Sequence, residues 1–182
     1  MTTEDDLQRM TIGELRRHDA PVTLVAYDPA WPEQYAREAA RVRAALGDRV
    51  LLLEHTGSTS VPGLAAKPII DMTLAVADSA REEDYVPDLE AAGFVLRIRE
   101  PDWYEHRLLK GPDVAVNLHV FSAGCGEIDR MVRFRDRLRT SDADRALYEA
   151  TKRKLAARTW RYTQHYADAK SEVVADIMRR AG

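Results

Sequence analysis

Apolar positions recur along this chain with two different periods. Between Glu33 and Leu46, Tyr35, Ala39, Val42 and Leu46 fall on one face at helical spacing. Pro32 suits the first turn, where its missing N–H is no loss, and Gly47 suits the stop. Period two takes over in Val114–Phe121: Val114, Val116, Leu118 and Val120 point one way, Ala115, Asn117, His119 and Phe121 the other. Strands are also expected over 50–56, 69–77, 94–98 and 103–109, and a helix over 81–92 that is interrupted or started near Pro87. From Glu127 onward the pattern is helical. Ser141 caps one helix, with Asp144 at the capping-box position, and a last helix covers about Arg161 to Arg180. The pattern predicts an α/β (α+β) domain, a mixed sheet flanked by helices with a C-terminal helical segment.

The connection between the strands at 50–56 and 69–77 carries the most chemistry. It reads His55-Thr56-Gly57-Ser58-Thr59-Ser60-Val61-Pro62-Gly63-Leu64-Ala65-Ala66-Lys67-Pro68-Ile69-Ile70-Asp71. A hydroxyl-rich glycine turn suits a phosphate, and a carboxylate on the next strand suits a metal ion on that phosphate. Alternation puts Asp71 and Thr73 on one side of their strand. If that strand lies beside the later one, Asp71, Thr73, Asn117 and His119 form one polar cluster. Such a cluster among apolar strands is costly unless paired or placed in a cleft.

Composition narrows the setting. With 182 residues the chain supports one domain: an arm at 1–20, either mobile or a short helix, a sheet core at about 21–124 and a helical tail at about 125–182. The lone Cys125, in a Gly-flanked loop, excludes an intrachain disulfide and a cysteine zinc site and reads as an inert thiol. The polar, acidic start lacks the pattern of a signal peptide, and no apolar run approaches the ~20 residues of a membrane span, so a cytoplasmic location is expected. The net charge of −3 divides unevenly: residues 125–182 hold 14 Lys/Arg against 9 Asp/Glu. Those basic residues are interspersed with acids, which favours solvated helix faces over a nucleic-acid surface, and no nucleic-acid-binding motif accompanies them. Trp31, Trp103 and Trp160 are expected in the core or a lid, Arg107 and Lys110 near a sheet edge as surface charges rather than contacts to a triphosphate or an acidic acceptor, and Arg135 with Asp136 as an ion pair tying the tail to the sheet. Lys67 fits either a phosphate contact or a solvated charge beside Pro68.

The segment from His55 to Asp71 resembles the signature of the GrpB family. Tyr27-Asp28-Pro29-Ala30-Trp31-Pro32, Leu118-His119-Val120, Phe134-Arg135-Asp136-Arg137-Leu138-Arg139, and Tyr148, Lys152, Tyr166 and Lys170 extend the resemblance over nearly the whole chain beyond residue 20. That family is similar to the polymerase-beta-like nucleotidyltransferases, in which acids following a Gly-Ser turn hold two Mg²⁺ that position an NTP for in-line attack. The resemblance implies that Gly57 and Ser58 bind phosphate, with Ser58 and Asp71 catalytic and Asp71 on the metal; Thr59, Ser60 and Lys67, along the same connection, are further phosphate-binding candidates. The chain departs from the superfamily at Thr73, where a second acid is expected, and at Asn117 and His119, where a third is expected. With His55 and His119 as ligands, Mn²⁺ or Zn²⁺ would be favoured over Mg²⁺.

Three functions follow as expectations. One is a divergent nucleotidyltransferase acting on an NTP and an acceptor that the sequence does not name. Another is a non-catalytic accessory module on the same fold that binds a nucleotide or an anion; the expected partner is an NTP or another phosphate-bearing small molecule. The third is a metal-dependent enzyme of another class built on His55, Asp71 and His119.

Overall fold

The strands Leu52–Thr56 (β1), Ile70–Val76 (β2), Val95–Glu100 (β3), His106–Lys110 (β4) and Val116–Ser122 (β5) form one sheet in the order β1-β2-β5-β4-β3. β2 and β5 run parallel, and the other pairs are antiparallel. The computed structural model describes residues 1–181.

Alternation along β2 and β5 divides the sheet into two faces. Met72, Leu74, Leu118 and Val120, all fully buried, face the helix Trp31–Leu46 (α2) and the short helix Val86–Ala91 (α3), forming the main core. The opposite face carries Asp71, Thr73 and Ala75 beside Asn117, His119 and Phe121. Its Ala75 and Phe121 pack against Ile128 of Gly126–Thr140 (α4). Asp142–Ala156 (α5), Thr163–Ala169 (α6) and Ser171–Arg180 (α7) complete the helical tail.

Specific polar ties hold the tail in place. Arg135 of α4 donates to Glu54 of β1 at 2.6 Å, to the His55 carbonyl at 3.0 Å and to Asp136 at 2.7 Å. Asp144 accepts from Arg137 at 2.6 Å and Arg180 at 2.7 Å, joining α4, α5 and α7. The first tie matches the expected role of Arg135. The second redirects Asp144: Ser141 caps its N–H at 3.3 Å, but the Ser141 N–H already bonds the Arg137 carbonyl at 2.9 Å, so no reciprocal box forms.

Other expectations are corrected. The helix expected over 161–180 is two helices, because the N–H of Lys170 turns back three residues to the Ala167 carbonyl at 3.1 Å. The strand expected from 103 starts at His106, since Tyr104 and Glu105 take left-handed φ values of 55° and 51°. Arg107 is not an edge charge: β4 is flanked by β3 and β5, and the side chain is buried on Glu82 at 2.5 Å. At the N-terminus the short-helix alternative holds: Glu4–Met10 form α1, with Leu7 buried and the Ile12 N–H bonded to the Arg97 carbonyl at 2.8 Å.

Candidate functional site

Register decides which polar residues meet. Asp71 pairs with Asn117, and Thr73 with His119, across the parallel β2–β5 ladder. Asn117 donates to Asp71 Oδ1 at 2.7 Å, and His119 Nε2 lies 3.7 Å from the same oxygen. Lys110 donates to the amide oxygen of Asn117, which fixes the direction of that amide. Behind His119 runs a donor–acceptor line: His119 Nδ1 to His106 Nε2 at 3.0 Å, and His106 Nδ1 to Glu100 at 2.6 Å. Burial works against the charge of Asp71, but His119, Asn117 and Lys67 outweigh it and hold the carboxyl below its usual range.

Two expected members do not join. Thr73 shares the face, yet it is fully buried, bonded to Thr56 Oγ1 at 2.8 Å and against Met131 of α4 at 3.4 Å. His55 pairs with Met72 and therefore lies on the α2 face. There it stacks on Tyr35 (4.7 Å, 6°), and its Nε2 bonds Thr59 Oγ1 at 3.0 Å. Since Thr59 gives its proton to the Ile69 carbonyl at 3.1 Å, His55 is the donor. His55 is therefore no ligand partner for Asp71, because one residue of strand register turns a side chain to the other face.

The glycine turn brings Ser58 against the tail. Gly57 takes φ 67° and ψ −172°, and the side chain of Asp71 packs directly on it. Lys152 of α5, buried to 2 % exposure, donates to Ser58 Oγ at 3.0 Å and to the Ala65 carbonyl. Lys67 and Lys170 stand 5.6 Å and 4.6 Å over the ring of Tyr166. Together with Thr59 and Asp71 these groups line a small pocket. Its volume for water centres is about 50 Å³, against the ~10–15 Å³ that one water needs, so it has room for a group larger than one water. Ser60 is occupied elsewhere, donating to the Gly57 carbonyl at 2.6 Å.

The lysines set the electrostatics. Burial, with Lys170 nearby, lowers Lys152 to about 7. Burial also lowers Lys170 and, aided by Lys170, Lys67. The Tyr166 hydroxyl, in a residue 1 % exposed, has no hydrogen-bond partner among the described residues. Lys152 and Lys170 lie 94 and 112 positions beyond Ser58 in the chain, so local pattern could not assign them to the turn; the family resemblance was their only signal.

A two-ion metal centre does not fit this donor set. Among the described residues no three His, Cys, Asp or Glu side chains converge to hold a metal. Asp71 is one carboxylate facing several ammonium groups, whereas Mg²⁺ demands hard oxygen ligands and each ion adds two positive charges.

The mixed sheet, the Gly-Ser turn after β1 and the helical tail on the Asp71 face define a nucleotidyltransferase-like α/β protein. The family described as GrpB protein matches residues 21–180, and the chain belongs to that family. A UPF0157 protein of Halalkalibacterium halodurans is 61% identical over 179 residues, covering 98% of this chain and 92% of that one. The crystal structure of the conserved protein GrpB from Enterococcus faecalis superposes with a TM-score of 0.68 at 29% identity, covering 85% of this chain and 98% of that one. A dephospho-CoA kinase of Mycolicibacterium paratuberculosis is 32% identical over 89% of this chain, which spans only 46% of that longer protein. No helix among the described residues is long and apolar enough to cross a membrane.

Proposed function

We propose that the protein binds the phosphate of a phosphate-bearing small molecule in the pocket of Ser58, Lys67, Lys152 and Lys170, without a resident metal ion. The observation that carries this reading is the convergence of three lysines and a hydroxyl turn on one carboxylate. Buried ammonium groups in excess of their counter-charge are stabilised by an anion, and charge-assisted hydrogen bonds to phosphate are strong.

Calorimetry with tripolyphosphate and with ATP, in EDTA and in Mg²⁺ or Mn²⁺, tests the proposal. Binding should persist in EDTA. Lys152→Met should weaken it by about 1.5–3 kcal/mol, the range for hydrogen bonds to charged groups. Because Lys152 titrates near 7 in the free protein and binds the anion as an ammonium, affinity should fall as pH rises above that value. The fall should approach ten-fold per unit when the bound-state pKa lies well above the working pH. Absence of binding, or binding indifferent to Lys152, would refute the reading.

Metal-assisted nucleotidyl transfer is the second reading. The line from Asp71 through His119 and His106 to Glu100 favours it, because a histidine pair backed by a carboxylate is suited to take a proton from an acceptor hydroxyl. NTP binding that requires Mg²⁺ or Mn²⁺ and vanishes in Asp71→Ala would support transfer over simple anion binding.

A further inference from the structure

The small pocket opens beside a much larger cleft that none of the foregoing uses. Trp103 and Tyr104, on the turn before β4, form one wall; Glu127 and Arg130 of α4 and Val174 and Met178 of α7 form others. Its volume for water centres is about 540 Å³, within the range of small-molecule sites. Lys170 lines both the pocket and the cleft, so a ligand leaving the first for the second passes that ammonium group.

The aromatic wall is exposed and held in place. Trp103 is 38% exposed, whereas Trp31 and Trp160 are 2% and 8%. Its ring meets His106 at 5.1 Å and 82°, Phe121 at 5.8 Å and 72°, and Tyr104 at 5.7 Å and 70°, so its neighbours fix its plane. Tyr104 and Glu105 in the same turn hold a left-handed backbone, which non-glycine residues keep only when their surroundings enforce it. A preset exposed indole beside a cationic pocket is complementary to a ligand with a flat ring at one end and phosphate at the other.

We propose that this cleft receives the flat heteroaromatic ring of a phosphate ester, stacked on Trp103, while its phosphate occupies the Ser58–Lys152 pocket. The inference rests on the phosphate-binding reading and narrows the ligand class to nucleotide-like molecules.

Tripolyphosphate, ATP, CTP, GTP and UTP, titrated into the full chain by calorimetry and by tryptophan fluorescence, separate the two ideas. At least one nucleotide should bind roughly ten-fold or more tightly than tripolyphosphate, the scale of one ring stacked on an aromatic side chain, and should quench the exposed Trp103. Trp103→Ala should remove that advantage and leave tripolyphosphate binding unchanged, whereas Trp103→Phe should keep most of it. Equal affinity for all five ligands, without quenching, would overturn the cleft and leave the phosphate pocket standing. Nucleotide binding with quenching but no tripolyphosphate binding would support the cleft and overturn the phosphate pocket. If nothing binds, both fail.

Discussion

Gly57→Ala should destabilise the protein by at least about 2 kcal/mol and abolish anion binding. At φ 67° and ψ −172° Gly57 occupies backbone space that is essentially closed to residues with a Cβ. An added Cβ would lie 2.3 Å from Asp71 Oδ2, 2.8 Å from its Cβ and 2.9 Å from its Cγ. The flexible end of Asp71 cannot give way freely, because Oδ1 is held by Asn117 at 2.7 Å and the strand fixes its Cβ. Relief must come from the turn itself, which would carry Ser58 away from Lys152. Urea unfolding followed by circular dichroism measures the first effect, and tripolyphosphate calorimetry on the folded fraction measures the second. An unchanged midpoint with native binding would mean that the turn does not depend on Gly57.

Acid should destabilise the protein through His55, by about 2–3 kcal/mol between pH 7.5 and 4.5. Burial lowers this imidazole from 6.5 to about 4; Asp71 opposes the shift, and Arg139 and Arg135 add to it. The unfolded chain therefore takes up the proton first as pH falls. The stabilising contribution is complete above about 6.5 and is lost progressively down to about 4. His106, lowered chiefly by burial, acts in the same direction, so the slope of the native protein is a sum. His55→Phe preserves a ring against Tyr35 and leaves Thr59 bonded to Ile69. In urea melts at the two pH values, the variant should show a pH-dependent loss smaller by about 2–3 kcal/mol. Parallel losses in the two proteins would mean that His55 titrates normally.

Much of this architecture follows from local chemistry. The 3.6-residue spacing of Tyr35, Ala39, Val42 and Leu46 yields α2, because only that conformation gathers these side chains on one face. Alternation put Asp71 and Thr73 on one side of β2, and Asn117 and His119 on one side of β5. It could not say that the two strands pair in parallel, in the register that sets Asp71 against Asn117. His55 shows the limit most plainly: two residues from Gly57 in the chain, it belongs to the opposite face of the sheet. Thr73 shows another. Its side was correctly assigned, but Met131 of α4 packs on that position, whereas Asp71 lines the pocket of the tail lysines.

The sequence by itself determined most of the elements, though not the break between α6 and α7 or the start of β4, together with the glycine turn, the single carboxylate beyond it and, through its motifs, the family. Those depend on propensities and spacings within a few residues, or on residues that can be matched one by one. Only the tertiary structure decided that the carboxylate would face ammonium groups. Lys152 and Lys170 reach Ser58 and Asp71 because α5 and the α6–α7 junction pack over the sheet. It likewise left Trp103 at the rim of a cleft while burying Trp31 and Trp160. The physical reason is the same in each case: burial and charge at a point in space are summed over every segment that converges there, and convergence is set by helix packing and strand register across the whole chain.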